Sequence, residues 1–305
     1  MIVSHSPHIL HKITTNKLYL LFIIGLLFPT AAGIYFFGMS ALFVILVCIV
    51  SAILFDFIFQ LILKKKPHLS LSTIITSLLL ALVLPPTVPW WIPVFGVIIA
   101  VGIVKYAFGP GNAIFNPALA ARTFLAVSFP LLMSTYVAVD GTTSATPLAV
   151  AKLNGFSSLV AQYSTTGNLY FDLFIGNRPG CIGETSAMLI LIGGLFLICF
   201  KVIDWRIPFF YLGSVAVLSF AFGHDVLFSL LSGGLLLGAF FMATDYVTSP
   251  LSRKGKIFFA IGCGLLTVIL RIYSGYPEGV AFSILLMNAA VPLIDRLVKP
   301  KPFGY

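Results

Sequence analysis

Apolar residues fall into ten long runs separated by short polar segments, a pattern that predicts repeated membrane crossing. A helix needs about 20 apolar residues to span the hydrocarbon core, and most of the runs approach that length. The predicted spans are 18–37, 40–63, 69–84, 90–108, 116–133, 187–203, 207–222, 226–243, 256–273 and 279–297. We therefore expect a single membrane domain with a first half over 1–133, one long connection over 134–186 and a second half over 187–305.

Interrupted runs in both halves suggest an internal duplication. The third run ends at Pro85-Pro86, and the fifth begins at Asn116-Pro117. Leu78–Leu80 and Leu235–Leu237 each precede a break that is followed by two further runs. Five spans per half would turn the second copy upside down, as in transport folds whose sites lie at the repeat interface. The expected fold is an all-α polytopic membrane protein of ten transmembrane helices in two inverted five-helix repeats.

The composition agrees with this fold class. Of the 305 residues, 59% are hydrophobic and 9% are charged, against about 25% charged residues in soluble domains. These values exclude a soluble enzyme, a disordered chain and a disulfide scaffold. The net charge of +9 does not indicate nucleic-acid binding, because the sequence has no basic helix or aromatic-basic patch.

The distribution of lysine and arginine predicts the orientation. With the N-terminus in the cytoplasm and alternating sides, the cytoplasmic positions collect nearly all basic residues, Arg122 among them. Only Lys152, Arg178 and Arg271 fall outside. We therefore predict that both termini are cytoplasmic and that the connection 134–186 is extracytoplasmic. The first run is too long for a removable signal and should remain in the mature chain.

A small-residue stretch in the long connection contains a hydroxyl placed directly before a proline. It runs from Asp140 to Leu148, with Thr146 before Pro147. Proline favours an extended backbone at Thr146, and small neighbours leave room for a large group. Judged by composition alone, an ordinary polar turn is the more common explanation. No metal site is expected, because the cysteines form no CxxC pair and the histidines are unpaired.

The same stretch resembles the motif that is read by the membrane-associated flavin transferase. The resemblance is to Asp-x-x-[Ser/Thr]-[Gly/Ser]-Ala-Thr, with Asp140 first, Ser144 in the position more often held by glycine, Ala145 next and Thr146 last. In proteins with this motif the threonine hydroxyl attacks the pyrophosphate of FAD, releases AMP and retains FMN through a phosphoester. The resemblance implies that Thr146 carries covalent FMN. The transferase acts outside the cytoplasmic membrane, where the charge count places the loop.

The likeness extends along nearly the whole chain. The segments that carry it are Ser4–Ile9, Asn116–Arg122, Pro179–Ala187, Met242–Ser249, Tyr276–Phe282 and Leu286–Asp295. Together they resemble the family that contains the D subunit of the Rnf complex and the B subunit of the sodium-pumping NADH:quinone reductase, and the Rnf protein is the nearer of the two. Two positions depart from the family pattern, since Cys181 stands for the commoner serine and Tyr246 for the commoner proline.

The resemblance implies an electron-transfer subunit of an ion-translocating ferredoxin:NAD oxidoreductase in a bacterial or archaeal cytoplasmic membrane. The chain has no nucleotide-binding fingerprint and no cluster-binding cysteines, so it would not be catalytic alone. Its implied partners are the A, B, C, E and G subunits of the Rnf complex, the flavin transferase during maturation, and Na⁺ or H⁺. A second, non-covalent flavin such as riboflavin is also implied. The alternatives are the B subunit of the quinone reductase and a flavin-free channel or permease.

Four further residues each have two interpretations. Glu184 begins a run, where a carboxylate either caps the helix or takes part in flavin or ion binding. Arg271 could steady either an anionic phosphate or a partner, and it is on the FMN side of the predicted topology. Asp56 lies inside the second run, and a central carboxylate costs about 2.5–3.5 kcal/mol on insertion scales, so an ion pathway competes with snorkelling towards Lys64–Lys66. Asp245 ends the eighth run, where helix capping competes with a cation pathway.

Overall fold

The computed structural model describes residues 14–64, 67–107, 113–137, 143–163, 168–275 and 278–299. The chain is mostly helical, as predicted. The first half contains α1 (Thr15–Phe37), α2 (Met39–Ile62), α3 (Leu71–Leu82), α4 (Trp91–Val97) with its π-helical continuation Ile98–Ala107, α5 (Pro117–Ser128) and α6 (Pro130–Ser134). The second half contains α10 (Ala187–Cys199), α11 (Arg206–Ala221), α12 (Val226–Leu231), α13 (Leu235–Leu237) with its π-helical continuation Gly238–Met242, α14 (Arg253–Tyr273) and α15 (Val280–Leu297).

In its described residues, the connection between the halves contains three short helices and one antiparallel pair of short strands. The helices are α7 (Pro147–Asn154), α8 (Phe156–Tyr163) and α9 (Leu169–Ile175). Strand β1 (Tyr136–Val137) pairs antiparallel with β2 (Thr143–Ser144). This segment has a small apolar cluster of its own, separate from the large core that joins the two halves.

Each predicted run contains helix, but only four of the described helices are long and apolar enough to cross a membrane by themselves. These are α1, α2, α14 and α15. Several others are shorter apolar helices, and the fifth and eighth runs are broken at Phe129-Pro130 and at Ser232–Gly234. The chain is thus a multi-pass membrane protein, while ten spans and two inverted repeats remain predictions.

Glycine allows close helix packing at Gly193 and Gly194. A Cβ atom on Gly193 would lie 2.5 Å from the carbonyl oxygen of Gly25 in α1. A Cβ atom on Gly194 would overlap the ring of Phe240. Small residues at such positions are typical of tightly packed membrane helices.

Two asparagines link the halves where α5 begins. The Asn116 side chain accepts hydrogen bonds from the backbone N–H groups of Ala118 and Leu119 and so caps α5. Its amide donates to the Met242 carbonyl (3.2 Å), while its backbone N–H donates to the Asn288 side chain (3.2 Å). The polar start of the fifth run is therefore satisfied by groups of the second half.

Arg122 has a different place from the one that the charge count gave it. The count placed it on the cytoplasmic side of the fifth run, but within α5 its guanidinium is largely buried against Glu278. A buried charge that is paired inside the protein does not report loop orientation.

An ion-pair group ties α11 to α14 on the predicted cytoplasmic side. The Asp204 carboxylate contacts Arg206 (3.1 Å) and Lys256 (3.2 Å) and accepts a hydrogen bond from the Arg206 backbone N–H. Burial alone would raise the pKa of Asp204, but this hydrogen bond and the two cations lower the pKa below its usual value.

We expect Asp204→Asn to destabilise the protein by about 0.5–1 kcal/mol at pH 7, a modest value because the group is partly solvated. The lowered pKa means that the stabilisation is present at neutral pH and is lost as the pH falls through the folded-state pKa. Thermal unfolding in detergent should therefore show a gap between wild type and variant that closes below about pH 4. A gap of constant size across this range would contradict the assignment, and Lys256→Met should show the same pH trend.

Candidate functional site

Thr146, the predicted flavin acceptor, is the N-cap of α7. Its backbone is extended (φ −67°, ψ 150°), as expected for a residue before proline, and Pro147 occupies the first helical position. Its hydroxyl accepts a hydrogen bond from the backbone N–H of Ala149 (3.3 Å). The residue is only 6% exposed. The acceptor hydroxyl thus stands at the positive end of a helix, where an anionic group is favoured.

Tyr163 holds the two residues before Thr146. Its phenol donates to the carbonyl of Ala145 (2.6 Å) and lies 2.7 Å from the hydroxyl of Ser144. The tyrosine lies at the end of α8, so hydrogen bonds within this segment fix the position of the motif. Asp140, the first residue of the motif, lies outside the described residues.

Arg271 lies close to this segment, but carbonyl groups already engage its guanidinium. It donates to the carbonyls of Ser229 (2.6 Å) and Ser232 (2.8 Å), which end α12. A cation there stabilises the negative end of the helix, and this explains a buried arginine without a carboxylate partner at hydrogen-bonding distance. Its Nε, like the Ser232 hydroxyl, is buried without a hydrogen-bond partner among the described residues.

Glu184 lies on the other side of the same helix break. Gly233 and Gly234 both have φ +66°, which favours glycine, and α13 begins directly after them. A Cβ atom on Gly234 would lie 2.7 Å from Oε1 of Glu184. The carboxylate therefore faces the start of the second helical piece, while Arg271 caps the end of the first. Both charges complement the local helix ends.

Glu184 belongs to a turn that covers the end of α3. The backbone N–H groups of Ile182 and Gly183 donate to the carbonyls of Leu84 (3.1 Å) and Leu82 (2.7 Å). Arg178 donates to the carbonyl of Glu184 (2.6 Å). The turn thus satisfies carbonyl groups that the helix leaves without partners.

Arg122 connects this turn to the entrance of α15. Its guanidinium donates to the carbonyl of Val83 (2.9 Å), makes a very short contact with Glu278 and lies 4.0 Å from Glu184. The thiol of Cys181 is 3.4 Å from the same guanidinium. We call these four residues, Arg122, Cys181, Glu184 and Glu278, the arginine cluster.

Burial dominates the electrostatics of the turn that carries Glu184. Desolvation raises the pKa of Glu184, and the nearby Glu278 raises it further, while Arg122 and Arg178 act in the opposite direction. One ligand atom from each of Cys181, Glu184 and Glu278 falls within 4.8 Å of the others, a spacing that a metal ion could use. Arg122 already supplies positive charge to both carboxylates, so we interpret this group as a buried ion-pair centre.

A cavity of about 290 Å³ lies at the opposite, predicted cytoplasmic side. It is bounded by parts of both halves, including Tyr19, Thr76, Lys105, Asn116 and Asp245. The Asp245 carboxylate also accepts a hydrogen bond from the backbone N–H of Val247 (3.2 Å), so it combines a loop hydrogen bond with a place at the cavity wall. The walls are mainly apolar with a few polar groups, as is typical of small-molecule sites.

Asp56 is deeply buried in a polar group of its own rather than reaching the aqueous surface. Its carboxylate accepts hydrogen bonds from Tyr106 (2.7 Å) and Gln60 (2.8 Å) and lies 3.5 Å from Lys105. Gln60 in turn bonds both backbone groups of His68. These contacts supply the pairing that a buried carboxylate requires, and they fix the end of α2 without snorkelling.

The predicted site residues therefore divide among three places. Thr146, Ser144, Ala145 and Arg271 lie in or beside the α7 segment, and Glu184 and Arg271 lie beside neighbouring glycines of the broken eighth run. Asp245 lines the cavity, and Asp56 contacts Lys105 at its edge. The sequence alone does not identify Tyr163 and Glu278 as site residues, because each acts through tertiary contacts that no local motif indicates.

Comparison with known proteins gives one consistent result. A family model described as the NQR2, RnfD, RnfE family matches residues 2–304. The D subunit of a Na⁺-translocating ferredoxin:NAD⁺ oxidoreductase complex from Acetobacterium woodii is 45% identical over 99% of this chain and 95% of its own length. The D subunit of a proton-translocating complex of the same kind from Clostridium ljungdahlii is 42% identical, covering 99% and 96%. The D subunit of an ion-translocating oxidoreductase complex from Methanosarcina acetivorans is 38% identical, also covering 99% and 96%.

Proposed function

The chain belongs to the NQR2, RnfD, RnfE family, and we propose that it carries covalent FMN on Thr146 in an Rnf-type complex. Such a complex couples electron transfer between ferredoxin and NAD to translocation of Na⁺ or H⁺. The relatives compared above are all D subunits of ion-translocating oxidoreductase complexes, which favours the Rnf type over the quinone-reductase type. As one component of an oxidoreductase the chain acts with partners, which we propose to be the A, B, C, E and G subunits of the Rnf complex.

The position of Thr146 at the start of α7 is the observation that supports the flavin assignment. A phosphoester on its hydroxyl would carry negative charge at the helix N-terminus, where the N–H groups of Leu148 and Ala149 point along the axis. Pro147 does not destabilise α7 at this position, because the N–H of the first helical residue has no hydrogen-bond partner within a helix in any case. The residues present therefore fit a phosphoryl group on Thr146.

The chain's own groups position this attachment point. Tyr163 fixes the backbone at Ala145, and Leu148 packs at Gly233 beside Arg271. FMN, when attached, supplies the redox chemistry, and the protein supplies its place and the surrounding charge. The partly buried Arg271 at the break contributes positive charge beside this segment, which favours an anionic form of a nearby group.

The cavity on the opposite side is our candidate for the second, non-covalent flavin. Its apolar walls suit a flat aromatic ring, and Lys105, Asn116 and Thr76 offer polar contacts for ring oxygens and nitrogens. Asp245 at the wall and Asp56 behind Lys105 are the proposed acidic groups of an ion path. The two flavin sites would then lie at opposite ends of the membrane domain.

In-gel flavin fluorescence after denaturing electrophoresis tests the attachment. The full chain, expressed together with the flavin transferase, should give a fluorescent band, and Thr146→Ala should give none. Thr135→Ala, in the same connection, should remain fluorescent. A dark wild-type band, with the transferase shown active on another substrate, would refute covalent attachment. Flavin released from Thr146→Ala on denaturation would report the non-covalent site separately.

A further inference from the structure

The segment that carries Thr146 is built as a unit that packs onto the membrane domain. We call residues 143–163, with β2, α7 and α8, the strap. Its apolar side chains belong to the small cluster formed by Val150, Leu159, Tyr163, Leu169, Leu173 and Phe228, apart from the main core. Tyr163 bonds Ser144 and Ala145 inside the strap, so these hydrogen bonds tie the motif to α8.

With the strap in this position, the acceptor residue Thr146 is shielded from solvent. Thr146 is 6% exposed and Pro147 is buried as well. Leu148 packs so tightly at Gly233 that a Cβ atom there would lie 2.7 Å from its side chain. Attack on FAD requires the pyrophosphate to come within bonding distance of the Thr146 hydroxyl oxygen, with the leaving group in line. With Thr146 only 6% exposed, the strap in this position shields the hydroxyl from an enzyme-bound dinucleotide.

Lys152 makes the polar contact that holds the C-terminal end of α7 against the C-terminal end of α14. Its ammonium donates to the carbonyl of Arg271 (2.9 Å) and, at very short distance, to that of Ser274. These carbonyls stand at the C-terminal end of α14, where a cation is favoured. Lys152 itself is exposed to solvent. Exposed contacts of this kind are weak and can open at little cost.

We propose that Lys152 is a latch, and that flavin is transferred to Thr146 in an open form in which Lys152 has left Arg271 and Ser274. This inference rests on the proposed function. In the transfer, a bond forms between the Thr146 oxygen and the FMN-side phosphorus of FAD, the pyrophosphate P–O bond breaks, and AMP leaves. The hydroxyl proton passes to a base of the transferase or to water, and nothing is oxidised or reduced. Lys152 acts as a positioning residue, since it touches none of the reacting atoms.

The test is the rate of flavin attachment to the folded, flavin-free full chain in lipid nanodiscs, with added transferase and FAD. Lys152→Met should be modified about two- to fivefold faster than wild type, the factor expected for losing one cation at a helix end. Lys152→Arg should keep the latch and the wild-type rate. Lys17→Met, a change of the same type in the first turn of α1, should also match wild type.

Hydrogen exchange separates a latch from general destabilisation. In flavin-free Lys152→Met, the backbone amides of α7 should exchange faster, while the exchange of α14 and the thermal unfolding midpoint stay unchanged. Equal or slower flavin attachment in Lys152→Met would overturn the latch and leave the proposed function intact. If the wild type fails to take flavin even when it is expressed with the transferase, the proposed function falls, and this inference falls with it.

Discussion

Replacement of Thr146 by alanine is expected to reduce ferredoxin-driven NAD reduction by the purified complex to the background of the assay. The reason is chemical, because alanine offers no oxygen for the attachment of FMN that we propose, and the proposed electron path would lose one carrier. The structural cost is small by comparison. Loss of an N-cap hydroxyl costs about 0.5–2 kcal/mol, and the rest of α7 keeps its contacts.

Thr146→Asn is the matched control for that experiment. Asparagine caps helices at least as well as threonine, so α7 should be as stable as in the wild type, yet its amide is no acceptor for the phosphoester. We expect an assembled complex of normal thermal stability with background turnover. Full turnover of Thr146→Asn would show that the hydroxyl serves only as a cap, and it would contradict the redox role of this residue.

The second large effect is expected at the arginine cluster. Arg122→Met should destabilise the protein by about 3–5 kcal/mol, because it leaves Glu278 buried without its cation and the Val83 carbonyl without its donor. Thermal or denaturant unfolding of the flavin-free chain in detergent measures this loss.

A double variant distinguishes the ion pair from simple packing. Arg122→Met combined with Glu278→Met removes both charges and should recover part of the stability lost in Arg122→Met alone. Glu278→Gln alone should cost less, since a neutral amide can still accept a hydrogen bond. Additive losses in the double variant would mean that the two side chains do not interact, contrary to the contacts described.

Much of the fold follows from the sequence because membrane helices are specified by local apolar runs. Each predicted run contains helix, and the break at Pro85-Pro86 falls where proline indicates it, whereas the break at Gly233-Gly234 divides a run that the apolar pattern predicts to be continuous. The close approach at Gly193 likewise follows from the absence of a side chain. Span number is harder to derive, since interrupted helices such as α12 and α13 are too short to cross alone.

The candidate site was less predictable, because its groups meet through tertiary contacts. The motif around Thr146 marks the acceptor, but nothing near Tyr163 indicates that it bonds Ala145. Arg122 is far from Glu278 in sequence, so the apolar pattern places it correctly in the fifth run but does not show that its guanidinium lies against that carboxylate. Asp56 was correctly singled out as a costly buried carboxylate, but its partners Tyr106 and Lys105 come from another helix.

The measurement that tests the central claim most directly is mass spectrometry of the peptide that contains Thr146, isolated from an active complex. The account predicts that this peptide carries FMN through a phosphoester on Thr146, with fragment ions that place the added mass on that residue. An unmodified peptide recovered in full yield from a complex that still transfers electrons would contradict it.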